Sequence, residues 1–284
     1  MRGAKMGPLK GLRVVEFAGL GPAPICGMLL ADLGADVILV ERGAQAAKES
    51  PRIDPLLRNR RSIALDLKNA AAVDVALRLI ERADALIEGF RPGVMERLGL
   101  GPSECRARNR RLVYGRMTGW GQTGPLAAAA GHDINYLALS GALNQIGTAG
   151  AAPLPPLYFV GDWGNGGMLL AFGLLAALLE ARATGCGQVV DAAIIDGAIA
   201  MMGVMYAFRD TALVRDGPGE HYLAGAAPWY ATYRTKDDKY IAIGALEPNF
   251  LAQLLQCLEL DPERFAGQGF PAVDAAARAE WPAL

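Results

Sequence analysis

Histidine and cysteine are scarce in this chain of 284 residues, with two of the first and four of the second. Cys26, Cys105, Cys186 and Cys257 lie far apart and form no CxxC pair or Cys/His cluster at metal-ligand spacing. That pattern excludes a structural zinc site and a disulfide framework, so no metal is expected. A surplus of positive charge is missing too: the formal net charge is −1, whereas a nucleic-acid binder needs Lys and Arg in excess on one face. Any anion site must be local. Long apolar runs are also absent. The most apolar one, residues 168–179, spans 12 positions and stops at Glu180, short of the roughly 20 that cross a bilayer. It reads as a buried helix, and no membrane partner is expected. Residues 1–10 lead straight into a strand-like segment without a signal-peptide apolar stretch. Pro282-Ala283-Leu284 is no peroxisomal address, so a cytoplasmic protein is expected.

What the chain does contain is the material for a large core. Hydrophobic residues make up 52% and charged residues 20%, a balance that offsets chain entropy by burial. Residues 12–17 form a β-branched run, followed by Gly/Pro turn chemistry at 18–24 and an apolar helix at 25–33 closing at Gly34. A second strand, 36–41, completes a βαβ unit of the usual length of about 30 residues. The pattern recurs with a helix at 70–83 and strands at 85–88 and 111–117, which predicts an α/β class: a large Rossmann-like open parallel sheet. Two helices, around 169–182 and 195–208, are apolar all round, which implies deep burial. From Pro228 a hairpin signal at 229–233 and 240–244 marks a smaller α+β domain. The expected division is 1–210, a linker at 211–224, and 225–284. Residues 272–284 resemble a helix cut off partway, as in a chain shortened at its C-terminus.

Several residues could carry chemistry. Gly19-Leu20-Gly21 follows a strand and precedes a helix, but the third glycine of a dinucleotide fingerprint would fall on Pro24, so nicotinamide binding is not expected. His132 is a near-neutral base or simply a satisfied structural histidine. Asp162, before an apolar helix, is an N-cap or an acid/base group. Glu247, after a strand and before Pro248, is a solvated strand end unless it has a partner. Arg58, Arg60 and Arg61 either grip a phosphate or face water.

Taken together, ordered segments resemble the family III CoA-transferases, within them the α-methylacyl-CoA racemase branch. They are Leu12-Arg13-Val14-Val15-Glu16, Leu33-Gly34-Ala35-Asp36-Val37, Asn59-Arg60-Arg61-Ser62, Asp66-Leu67-Lys68 and Arg91-Pro92-Gly93-Val94-Met95-Glu96-Arg97-Leu98-Gly99. Further along come Thr118-Gly119-Trp120-Gly121-Gln122-Thr123-Gly124-Pro125, Gly131-His132-Asp133-Ile134-Asn135-Tyr136 and Gly187-Gln188-Val189-Val190-Asp191-Ala192. The resemblance implies that His132 and Asp162 are opposed bases and that Glu247 orients the imidazole. It further implies that a CoA ester lies along Arg42, Leu65, Asp66, Leu67, Lys68, Gly89, Phe90, Arg91, Arg97, Gly131, Asp133, Ile134, Asn135 and Tyr136. CoA would then be part of the substrate, with no separate cofactor, and the family fold forms an interlocked homodimer.

Racemisation explains these residue types. Removing the α-proton of a thioester develops an enolate, so one base is needed on each face of the planar carbon. Donors are needed at the enolate oxygen, and backbone amides at the helix start carrying Asp162 are the expected source. Met168, Met201, Met202 and Met205 would supply an adaptable wall for a moving acyl tail, or simply fill core. Two other outcomes stay open: a CoA-transferase using Asp162 as covalent nucleophile, or a shortened CoA-binding remnant without activity.

Overall fold

Strands that are apolar on both faces are satisfied only between two layers of helices. In a computed structural model that describes residues 7–43, 54–209 and 216–265, the first part of the chain builds such layers. Strands β1 (Arg13–Phe17), β2 (Asp36–Glu41), β3 (Arg61–Ala64), β4 (Ala85–Glu88), β5 (Val113–Thr118) and β6 (Val189–Ala193) pair in the order β3-β2-β1-β4-β5-β6. Every pairing is parallel, as the βαβ rhythm predicts. Strands β3 and β6 go beyond the expectation. Both are edge strands, β3 largely exposed and β6 exposed at Val189 and Asp191, so neither has the continuous buried run that identifies a central strand.

Alternate strand residues feed two cores. Val14, Ile87 and Val113 meet Cys26 and Leu30 of helix α1 (Pro22–Asp32) on one face of the sheet. Val15, Leu86 and Tyr114 meet Ile80 of α2 (Ala70–Ile80) on the other. Two short helices follow, α3 (Val94–Arg97) and α4 (Pro102–Arg108), and then α5 (Asp133–Leu139).

Residues Phe159–Met168 wind as a π-helix that runs unbroken into α6 (Leu169–Thr184). The combined helix, Phe159–Thr184, has 26 residues and is long and apolar enough to cross a membrane by length and composition. The apolar pattern predicts a helix only from about 169, with Asp162 just ahead of it as a candidate N-cap. The expected all-round burial is also corrected. Leu170, Leu174 and Leu178 are core, whereas Met168, Phe172 and Leu179 on the other face are 59%, 73% and 69% exposed.

The expected helix at 195–208 is two helices, α7 (Ile194–Met201) and α8 (Gly203–Phe208). They separate at Met202, the single residue between them and the N-cap of α8.

The chain divides into two compact units, Met1–Tyr136 with Leu157–Ala198, and Leu137–Pro156 with Ile199–Leu284. This differs from a single boundary near 210. The side-chain amides of Asn144 and Gln145 both donate to Asp216 Oδ1, at 2.8 and 3.2 Å, and the Tyr206 hydroxyl donates to the Ser140 carbonyl. Such pairings join segments far apart in sequence and leave no trace in local composition. In this second unit, β7 (Tyr230–Arg234) and β8 (Tyr240–Gly244) form the expected antiparallel hairpin. Helix α9 (Pro248–Cys257) contributes Leu251 and Leu255 to a core around Trp229. Positions 211–215 of the expected linker and the expected helix at 272–284 lie outside the described residues.

Candidate active site

In the parallel-sheet unit the strand order reverses between β1 and β4, so the loops leaving their carboxyl ends diverge and open a crevice. A cleft of about 580 Å³ lies there. Leu20, Gly21 and Pro22 line it after β1, Gly89, Phe90, Arg91 and Pro92 after β4, and Met117, Thr118, Gly119 and Trp120 at the end of β5. Gly131, His132, Tyr136 and Asp162 complete the working side.

His132 caps α5 and is exposed. Its amide donates to Asn135 Oδ1 at 2.9 Å, while its carbonyl accepts the Asn135 amide at 2.8 Å. This is the return half of a capping box, which fixes the backbone beneath the imidazole. Asp162 arrives from elsewhere, in the first turn of the π-helix. A Cβ on Gly21 would sit 3.5 Å from Asp162 Oδ2, and Gly21 itself has φ +72°. Only glycine turns the chain comfortably this way.

The expected enolate donors are corrected. The Asp162 amide donates to Asp133 Oδ2 at 2.7 Å, and the Gly161 amide bonds the same carboxyl. Both N–H groups are consumed within the protein, because a helix start must find acceptors for its orphan donors.

Burial, and then the neighbouring Asp133 carboxylate, raise the Asp162 carboxyl above its ordinary value, while His132 pulls it down. Burial, with Asp162 and Asp133 nearby, pushes the Tyr136 phenol to about 12, so it stays neutral. A raised aspartate contributes stability that is complete below its unfolded value of 3.8 and is lost as pH rises through the folded value. Asp162→Asn removes that loss. Its thermal midpoint is expected to exceed wild type at pH 7, with the gain vanishing near pH 3.8; a lower midpoint at pH 7 overturns this account.

A buried ion network supports the loop after β4. Glu88 Oε2 accepts the Phe90 amide at 2.8 Å, and Glu88 Oε1 accepts Arg116 Nε at 2.9 Å. The outer nitrogens of Arg116 fork onto Glu96 at 2.8 and 3.3 Å. Arg116 thus holds both ends of the segment bearing Gly89, Phe90 and Arg91. Sequence reasoning gave it no role, since an arginine inside a strand shows its value only when its partners are known.

Of the other expected residues, Arg42 is exposed just past β2. The Leu65 amide donates to the Glu41 carbonyl, Leu65 and Leu67 lean on core, and Asp66 accepts the Lys68 amide. Arg97 lies against Gly93, and Ile134 is exposed. None of these lines the cleft, nor do Asp133 and Asn135. Glu247 belongs to the second unit, exposed at the N-cap of α9. The Leu20–Pro22 turn, set aside as a broken dinucleotide motif, is cleft wall; its Gly-x-Gly after the first strand was the available signal.

The profile of CoA-transferase family III matches residues 9–282. The chain belongs to that family. Among relatives of the family III protein, the α-methylacyl-CoA racemase of Mus musculus is 43% identical over 276 residues, covering 97% of this chain and 69% of the relative. The human α-methylacyl-CoA racemase is 42% identical, covering 92% and 67%. The crystal structure of a CaiB/BaiF family protein from Brucella suis superposes with a TM-score of 0.76 at 27% identity, over 96% of this chain and 75% of that one.

Proposed function

We propose that this family III protein interconverts the 2R and 2S epimers of 2-methylacyl-CoA thioesters by a 1,1-proton transfer. The observation that carries this reading is the meeting of His132 and Asp162 in one cleft, supported by the two racemase relatives. One base takes the α-proton, and the electron pair of the Cα–H bond moves onto the thioester oxygen as an enolate. The conjugate acid of the other base then protonates Cα from the opposite face, so charge and oxidation state are conserved. The raised carboxyl of Asp162 suits a group that must both hold and release a proton. A covalent nucleophile needs only the ionised form.

Incubating one epimer in deuterated water without an acceptor acid tests the proposal. Both epimers, carrying α-deuterium, are expected. Absence of deuterium and of the second epimer, with CoA transfer on adding a carboxylic acid, overturns it in favour of the transferase.

We further propose a homodimer, in which a second copy covers the bare apolar side chains Met168, Phe172 and Leu179, since exposed apolar patches of this kind mark contact surfaces. Sedimentation velocity is expected to give twice the chain mass, and Phe172→Glu to shift it toward monomer. A monomeric wild type rejects the dimer.

A further inference from the structure

We propose that Asp133 is a positioning residue: its carboxylate clamps the helix start that carries Asp162 and so sets the spacing between Asp162 and His132. The inference rests on the two-base reading above. Three observations carry it. Asp133 Oδ2 accepts the Asp162 amide at 2.7 Å, and the Gly161 amide bonds the same carboxyl. Asp133 Oδ1 is buried with no partner among the described residues, so every hydrogen bond of this side chain goes to that one turn. A Cβ on Gly161 would lie 2.4 Å from Asp133 Oδ2, so only glycine admits the clamp.

The geometry gives the clamp a meaning beyond capping. Asp133 is bonded directly to His132, so the backbone that presents one base also carries the anchor of the other. The relative placement of the bases then depends on one peptide unit and two hydrogen bonds, although they come from separate helices. Because Asp133 lies outside the cleft wall, it acts through Asp162 and not on the substrate.

The readout is the ratio of two processes in deuterated water: epimer inversion, which needs both bases, and α-deuterium exchange with retention, which His132 performs alone on the epimer facing it. For Asp133→Ala and for Gly161→Ala, inversion is expected to fall about 10–100-fold while retention exchange changes by less than about 3-fold, because a 1 Å misplacement of one base costs that much. KM should be unchanged. Asp133→Asn keeps an oxygen acceptor and is expected to retain most inversion. If Asp133→Ala does not fold, Gly161→Ala and Asp133→Asn decide between them. Inversion and retention exchange falling in equal proportion in a folded variant, or inversion untouched in Gly161→Ala, overturns the inference. A wild type with neither exchange nor inversion instead removes the two-base reading, a separate failure.

Discussion

Alanine at His132 or at Asp162 is expected to lower epimer interconversion by about 10²–10⁴-fold, the usual contribution of a positioned acid/base group. The loss should be handed: each variant keeps one base, so each still exchanges the α-proton of one epimer and not of the other. The epimer that exchanges under His132→Ala should be the one that is silent under Asp162→Ala. This reciprocity separates two opposed bases from a single base with a helper, which would leave one variant silent toward both epimers. Chiral chromatography with mass detection of α-deuterium, run on each epimer separately, reads it directly. Interconversion at the wild-type rate in both variants would show that neither residue handles the proton.

The second large effect concerns the support of the cleft. Arg116 and Glu88 are 8% and 1% exposed at their side chains, and both sit in central strands. Arg116→Met leaves the Glu88 carboxylate buried without its cation, which costs about 3–5 kcal/mol and lowers the thermal midpoint by on the order of 10 °C for a unit of this size. Burial already raises the Glu88 carboxyl despite Arg116, so the variant should regain stability as the pH falls and Glu88 takes up a proton. The deficit appears as pH rises. Glu96→Gln, at a site 41% exposed, should cost no more than about 1 kcal/mol. Because Glu88 also holds the Phe90 amide, KM for the acyl-CoA should rise in Arg116→Met more than kcat falls. Thermal melts across pH together with steady-state kinetics test both halves. An Arg116→Met melt unchanged at pH 7 would mean that the network carries no stability.

The central strands were readable because burial on both faces forces a continuous apolar run: β1, β2 and β4 are each visible in local composition. The edge strands β3 and β6 were not, since an exposed edge has no such requirement. The Gly-rich segment around Asp162 precedes the expected apolar helix, and glycine discourages an isolated helix. It winds as a π-helix, with Gly166 and Gly167 packed so closely against Pro22 and Ile25 of α1 that a Cβ would clash. Packing decided what propensity opposed.

The same contrast runs through the site. Sequence alone determined the chemical supply: a chain with two histidines, one of them set in Gly131-His132-Asp133-Ile134-Asn135-Tyr136, together with the segments that tie it to family III. It also determined the parallel α/β class, because hydrophobic periodicity is a local property of the chain. Only the tertiary structure decided that Asp162 hangs over the Gly21 turn, that its amide belongs to Asp133, and that Arg116 braces the loop after β4. Those relations depend on distances between residues remote in the chain, and such distances exist only once the reversal in strand order has opened a cleft to bring them together.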